Sequence, residues 1–70
     1  MMLRGRPDET VFDNTGEMFS PSSCSHDYGY DGSGNLTTDT ATDPIKRIVR
    51  VKTFTYTAGQ LTSESVWVKQ

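Results

Sequence analysis

The chain is poor in cysteine and in aliphatic side chains, and both scarcities limit how it can fold. Cys24 is the single cysteine, so no disulfide can form within the chain. Leucine, isoleucine, valine and phenylalanine together supply thirteen of the 70 residues, a level at which many chains cannot bury enough apolar surface to fold alone. Domains of this size usually depend on disulfides, a metal or a partner subunit. We therefore expect stabilisation by oligomerisation or by docking on a larger body.

The sequence also lacks the side-chain groupings that carry catalysis or bind zinc. Cys24 and His26 lie two residues apart, but one cysteine and one histidine cannot complete a tetrahedral zinc site within one chain. No nucleophile motif surrounds them, whereas a catalytic thiol needs a base that a third group orients. We interpret both as incidental or interface residues, and we predict a protein that is not an enzyme and has no cofactor.

The closest match to a metal site in the sequence is a segment that partly resembles a calcium-binding loop. Oxygen-bearing side chains alternate along one segment, namely Asp31, Ser33, Asn35, Thr37 and Asp39. The pattern departs from a calcium-binding loop at two places, because Leu36 stands where glycine is required and Thr42 where glutamate is required. Alternate residues of a strand share one face, so the simpler interpretation is the solvated face of a strand.

The charge balance disfavours nucleic acid as a partner. The formal net charge is −2, whereas nucleic-acid-binding domains usually present a basic surface. One basic stretch remains, formed by Lys46, Arg47, Arg50 and Lys52, and such residues also commonly protect strand edges. The sequence has no apolar run long enough for a signal peptide or a membrane span, which predicts synthesis in a cytoplasm and no membrane contact.

The most informative feature is a short phrase that occurs three times, at residues 12–18 (FDNTGEM), 30–36 (YDGSGNL) and 56–61 (YTAGQL). Each copy runs from an aromatic residue through small polar residues and glycine to leucine or methionine. Glycine supplies the positive φ that tight hairpin turns need, so each copy predicts a β-hairpin. No segment repeats apolar residues at helical spacing, and β-branched residues dominate the second half of the chain.

The third copy predicts the best-defined hairpin, which spans residues 45–69. Continuous pairing outward from an Ala58-Gly59 turn places Arg50 opposite Trp67, where a cation–π contact could form. The same register collects four aliphatic residues on one face: Val49, Val51, Val66 and Val68. A slip by one residue would scatter that set across both faces, so the apolar pattern favours this register.

The first two copies predict weaker hairpins. The second pairs Tyr30 with Leu36 and continues into a threonine-rich strand, a composition that favours β structure. The first has little flanking strand in a polar segment. We therefore predict an extended arm with a weak hairpin over residues 1–25 and a β-hairpin domain over residues 26–70. The predicted fold class is all-β, a small antiparallel meander of β-hairpins with an extended N-terminal arm.

Two resemblances add to this interpretation. Residues 30–37 resemble the tyrosine–aspartate (YD, or RHS) repeat of bacterial surface and toxin proteins, which implies β-hairpins. The whole chain, and especially residues 50–57 and 59–70, resembles small accessory structural proteins of tailed bacteriophages in its threonine, serine and glycine content and in its alternation of aromatic residues with threonine. That second resemblance implies a virion component, made in the host cytoplasm, which forms homo-oligomers and contacts other virion structural proteins.

Three functions stand as hypotheses. The first is a non-enzymatic structural subunit of a phage particle, such as a head decoration, neck or tail-fibre accessory, that assembles through its hairpins and its N-terminal arm. Its predicted contact residues are Val49, Val51, Phe54, Tyr56, Leu61, Val66, Trp67, Val68, Phe12 and Phe19. The second is a glycan-binding module that stacks sugars on Trp67, Tyr56 and Tyr30. The third is a nucleic-acid-binding module that uses residues 46–52.

Overall fold

A computed structural model describes residues 10–70, and these residues form an all-β protein. Seven strands follow one another along the chain: β1 (Val11–Phe12), β2 (Met18–Phe19), β3 (Ser25–Tyr30), β4 (Leu36–Thr42), β5 (Val49–Thr57), β6 (Gln60–Glu64) and β7 (Val68–Lys69). A 3-10 turn at Pro21–Ser23 precedes β3, and the described residues contain no α-helix. The predicted all-β fold class is confirmed. Residues 1–9 of the predicted arm lie outside the described residues.

The strands pair antiparallel, mostly with their neighbours in sequence. The first hairpin consists of β1 and β2, the second of β3 and β4, and the third of β5 and β6. Because β4 also pairs with β5, the second and third hairpins form one sheet with the order β3-β4-β5-β6. The short strand β7 returns to pair with the beginning of β5. It lies on the side of β5 away from β4, because Arg50 has a partner in each of them.

The first two copies of the repeated phrase fold into the same turn. In each, the backbone NH of an aspartate, Asp13 or Asp31, donates at 3.0 Å to the carbonyl of the residue four positions further on. The aspartate Oδ1 accepts two backbone NH groups of the turn, at 2.9 and 3.1 Å in the first copy and at 2.9 and 3.0 Å in the second. A glycine with a φ of 87° or 86° completes the turn. The predicted pairing of Tyr30 with Leu36 is confirmed.

The third copy lacks the aspartate and closes with a shorter turn. Ala58 and Gly59 both have positive φ, 52° and 81°, which is the requirement of the two-residue type I′ turn that matches strand twist. Tyr56 lies opposite Leu61, as predicted.

A threonine bulge follows the turn in both the second and the third hairpin. Thr37 and Thr62 are each the extra residue of the returning strand, where the register shifts by one. The hydroxyl of Thr37 donates to the carbonyl of Gly29 at 3.2 Å, and that of Thr62 to the carbonyl of Thr55 at 3.1 Å. In both hairpins the threonine that directly follows the phrase therefore forms a bulge, which adds twist and shifts all later pairs by one residue.

The continuous pairing predicted for the third hairpin is consequently wrong beyond its turn. The threonine bulge shifts the register by one residue, and the segment between β6 and β7 shifts it by one more. Arg50 therefore lies opposite Lys69, not Trp67, and Val51 lies opposite Val68. Bulges keep the hydrophobic alternation of β5 intact, so the apolar pattern of that strand does not reveal them.

The core is small and surrounds one buried arginine. Phe19, Ala41 and Trp67 are the buried hydrophobic residues of the described chain, and Phe19 meets Trp67 edge to face at a centroid distance of 5.6 Å. Arg50 is 1% exposed, and its guanidinium lies 4.0 Å from the centroid of the Phe19 ring. The cation–π contact predicted between Arg50 and Trp67 is replaced by one from Lys52, whose Nζ lies 5.4 Å from the Trp67 ring.

Two carboxylates of the first hairpin neutralise this arginine. Arg50 Nε donates to Asp13 Oδ2 at 2.7 Å, and its Nη2 donates to Glu17 Oε1 at 3.0 Å. Lys69 reaches the same Glu17 oxygen at 3.2 Å. Hydrogen bonds from the Thr15 hydroxyl and from Arg50 hold the pKa of Asp13 far below its usual value, against the opposing effect of burial. Asp13 is therefore ionised at neutral pH and forms a buried ion pair.

The first hairpin also covers part of a sheet edge. The backbone NH of Asn14 donates to the carbonyl of Trp67 at 2.8 Å, and the Asn14 side-chain oxygen accepts the backbone NH of Lys69 at 2.8 Å. Backbone groups left open on an edge strand invite pairing with another chain, so Asn14 protects β7 from such pairing. The predicted division between an arm and a domain stays a prediction.

Replacing Arg50 with methionine should lower the free energy of unfolding by about 3–5 kcal/mol, because the change leaves a buried carboxylate without its partner. Chemical denaturation followed by Trp67 fluorescence would measure the loss. Arg47→Met is the matched control, since Arg47 is exposed in the turn between β4 and β5. Equal stability of the two variants would contradict a structural role for the ion pair.

Replacing Ala58 with asparagine should raise the free energy of unfolding by up to about 1 kcal/mol, because asparagine tolerates the positive φ of this turn better than alanine. Gly59→Ala should act in the opposite direction, since it places a side chain at a φ of 81°. Urea midpoints of both variants test the pair of expectations. A stabilising effect of Gly59→Ala would show that the turn does not hold this geometry in solution.

Candidate interaction surface

The described residues enclose no pocket and include no group of three or more histidine, cysteine, aspartate or glutamate side chains that could hold a metal ion. Residues 10–70 contain no helix of the length and apolarity needed to cross a membrane. The candidates for binding are the exposed side chains of the sheet and of the first hairpin.

His26 is held between two acceptors at the margin of the core. Its Nδ1 lies 2.6 Å from Asp39 Oδ1, and its Nε2 lies 2.8 Å from the carbonyl of Pro21. The ring stacks on Tyr28 at a centroid distance of 5.9 Å and meets the edge of Trp67 at 6.4 Å. The hydrogen bond with Asp39 raises the pKa of His26, burial opposes this, and the Pro21 carbonyl adds to the rise. Only the protonated ring can donate to both acceptors.

Cys24 is not arranged as a nucleophile. Burial raises the pKa of its thiol, and the nearby charge of Asp43 adds to the effect, whereas a reactive thiol needs a lowered pKa. Its Sγ contacts the carbonyl of Ser20 at 3.6 Å. Both ring nitrogens of His26 are occupied by other acceptors, so His26 is not available to activate the thiol.

The oxygen-bearing residues considered for calcium are used in other contacts. Asp31 accepts the backbone NH groups of Ser33 and Asn35 and the side-chain amide of Asn35. Asp39 is bound to His26. The hydroxyl of Thr37 donates to a backbone carbonyl. These contacts explain the alternating pattern as turn and strand structure.

The four basic residues do not form one surface. Lys46 and Arg47 are exposed in the turn between β4 and β5, where the carboxylate of Asp43 accepts the Lys46 backbone NH at 3.0 Å. Arg50 is buried in the core, and Lys52 lies over Trp67. A nucleic-acid strand would therefore find two of the four side chains occupied within the chain.

The residues predicted from the sequence as contacts divide into two groups. Phe19 and Trp67 are buried within the chain itself, so Trp67 offers no open ring on which a sugar could stack. Four of the other eight are half-buried, namely Val49, Val51, Phe54 and Tyr56. The remaining four are exposed, namely Phe12, Leu61, Val66 and Val68. Their role as contacts with a partner stays a prediction.

One face of the sheet is covered over only half of its length. Cross-strand partners share a face and residues alternate along a strand, so His26, Ala41 and Arg50 lie on one face, as their register shows. Trp67 and the first hairpin cover that half. By the same alternation, the next residues along this face are Tyr28, Asp39 and Lys52, which lie side by side on β3, β4 and β5.

The uncovered half of this face carries six apolar or aromatic side chains, which we call the distal patch: Tyr28, Tyr30, Leu36, Phe54, Tyr56 and Leu61. Tyr28, Tyr30 and Leu61 are 54%, 62% and 54% exposed, and the other three are half-buried. Because β4 and β5 are antiparallel, the turns of the second and third hairpins lie at the same end of the sheet. The patch is therefore made largely by the aromatic and leucine residues of two copies of the repeated phrase.

The first hairpin has a second apolar side of its own. Phe19 and Asp13 face the core, whereas Phe12 and Met18, which lie opposite each other across the hairpin, are 61% and 59% exposed. These two residues occupy the same positions in the phrase as Tyr30 and Leu36 or as Tyr56 and Leu61. We call this pair the outer side of the first hairpin.

Sequence reasoning did not include Met18, Tyr28 and Leu36 among the contact residues. Met18 and Leu36 could have been found from the sequence, because each ends its copy of the phrase as the predicted contact residue Leu61 does. The signal for Tyr28 is its alternation with Tyr30 on β3. Both signals are present in the sequence, but the docking of the first hairpin decides which half of the sheet face, with Tyr28 and Leu36, stays uncovered and which side of the hairpin, with Met18, faces outward.

Comparison of the chain with protein-family models, with curated proteins and with solved structures finds no match.

The contribution of His26 to stability should fall as pH rises. The folded-state pKa lies above the ordinary value of 6.5, so the stabilisation is fully present below that value and is lost as pH rises through the raised pKa. Because His26 is the single histidine, NMR titration of its ring measures the pKa directly. Asp39→Asn should move the pKa back toward 6.5, whereas Asp27→Asn, on the same hairpin, is the control. A wild-type pKa at or below 6.5 would contradict the arrangement.

Proposed function

We propose that this chain is a non-enzymatic structural subunit that assembles with copies of itself through its β-hairpins. The observation that carries the proposal is the outer part of the third hairpin. β4 pairs with β5 only as far as Thr53, so that beyond this point β5 is paired with β6 alone among the described residues. All five residues of β6 are exposed. An isolated two-stranded ribbon is marginally stable in water, and contact with another subunit would stabilise it.

The balance of buried and exposed apolar residues supports the same proposal. Three hydrophobic residues are buried in the described chain, whereas eight large hydrophobic side chains are exposed. Small domains already bury a low fraction of their surface. Exposed apolar groups that cluster on one face are typical of surfaces that meet another protein.

The free edges of the sheet also favour assembly. Within residues 10–70, the outer edges of β3 and β6 have no partner strand. Such edges are templates for strands of another chain. The edge of β7 differs, because Asn14 covers it. Edge pairing is therefore open at β3 and β6 and restricted at β7.

The particle that we propose for this subunit is the virion of a tailed bacteriophage. Head decorations, neck pieces and tail-fibre accessories are the places that the resemblance implies, with other virion structural proteins as further partners. The support for this part of the proposal is the composition, rich in threonine, serine and glycine with aromatic–threonine alternation in β5. No catalytic group is required for such a role.

Sedimentation of the purified chain should give a mass that is a multiple of 7.8 kDa and that rises with protein concentration. The reason is that the exposed apolar residues lower their free energy when another copy covers them. Circular dichroism at the same concentrations checks that the protein is folded. A stable, folded monomer at every concentration would refute the proposed function.

A further inference from the structure

Two apolar surfaces of this chain are left uncovered by the described residues, and they differ in size. One is the outer side of the first hairpin, Phe12 and Met18, and the other is the distal patch. We propose that the outer side of the first hairpin of one copy packs on the distal patch of a second copy, head to tail. This inference rests on the proposed function and names its partner and its contact.

The position of the patch supports a first hairpin as its occupant. The inner side of that hairpin already covers the adjoining half of the same face, where Phe19 lies over Arg50 and against Trp67. The distal patch continues that covered surface through Lys52, which contacts Trp67. A hairpin from a second copy placed on the patch would extend the layer that the first hairpin begins.

The geometry of the chain prevents the hairpin from covering both halves itself. Asp13 and Glu17 bind Arg50, and Asn14 binds β7, so the hairpin is fixed at the end of the sheet opposite the patch. Its outer side faces away from the core that its inner side forms. The two surfaces can therefore meet only between different copies.

The charges at the contact are compatible with this arrangement. The carboxylates of the first hairpin, Asp13 and Glu17, are already paired within the chain with Arg50 and Lys69. On the sheet face, Asp39 is already paired with His26, and Lys52 lies at the border of the patch and is in no ion pair among the described residues. Glu64 lies opposite Phe54 on the outermost strand. The hairpin therefore brings no unpaired carboxylate of its own into the contact.

The area of the contact sets its expected strength. Four aromatic side chains of the patch, each able to bury about 150–250 Å² and roughly half of that here, provide on the order of 400 Å². A standard interface takes about 800 Å² from each partner. A single contact is therefore weak, and assembly through it requires a high protein concentration. Because the proposed contact is head to tail, it generates rings or filaments rather than a closed two-fold dimer.

Two double variants test this geometry. Phe12→Ser with Met18→Ser removes the hairpin surface, and Tyr30→Ser with Leu61→Ser removes part of the patch. All four residues are more than half exposed, so the core of Phe19, Ala41 and Trp67 is left intact. Ile45→Ser, at a residue that is 88% exposed in the turn between β4 and β5, is the matched control and should assemble as the wild type does. Circular dichroism and Trp67 fluorescence verify folding.

Sedimentation should find each double variant monomeric at concentrations where the wild type assembles. An equimolar mixture of the two should form a heterodimer that grows no further, because each variant retains one of the two surfaces. Should either variant be unfolded, Phe12→Thr with Met18→Thr or Tyr30→Thr with Leu61→Thr replaces it, since threonine favours strands.

The outcomes separate this inference from the proposed function. If the wild type assembles and either double variant assembles equally well, or if the mixture stays monomeric, the head-to-tail contact is overturned while self-assembly remains. If the folded wild type is monomeric throughout, both are overturned. A heterodimer from the mixture, with no growth beyond it, supports the inference and excludes a contact in which like surfaces meet.

Discussion

The burial of Arg50 in so small a sheet constrains how the first hairpin packs on it. The charge of Arg50 cannot leave water without acceptors, and the sheet itself does not supply them. The carboxylates of Asp13 and Glu17 do, from positions 37 and 33 residues away in sequence. Once that hairpin docks, Phe19 lies over the guanidinium and against Trp67. The core, the covered half of the face and the protected edge of β7 are all formed by the hairpin that supplies this ion pair.

The repeated phrase shows how one local structure acquires different roles. Asp13 and Asp31 lock equivalent turns with equivalent hydrogen bonds. Asp13 also binds Arg50 and is buried, whereas Asp31 remains exposed. The aromatic and aliphatic residues that flank each turn remain at the surface, and the core uses none of them. The phrase therefore builds hairpins, supplies surface and, in its first copy, provides the carboxylates that bind Arg50. The buried hydrophobic residues Phe19, Ala41 and Trp67 lie outside it.

The half-covered face connects this fold to assembly. The first hairpin is apolar on both sides, because Phe19 faces inward and Phe12 and Met18 face outward. A chain with so few aliphatic residues would gain stability by covering the remaining half of its face with another copy. Such cover is what neighbouring subunits would supply in the proposed virion role.

The sequence by itself determined the all-β class, the three hairpins and the pairs Tyr30–Leu36 and Tyr56–Leu61, because turns and strand propensity are local properties of short segments. Only the tertiary structure decided that Arg50 is buried, that Trp67 packs with Phe19 rather than with Arg50, and which apolar residues remain exposed. These outcomes depend on threonine bulges that leave the alternation of β5 unchanged and on contacts between residues far apart in sequence. Local pattern carries no information on which distant hairpin will supply the partners of a buried charge.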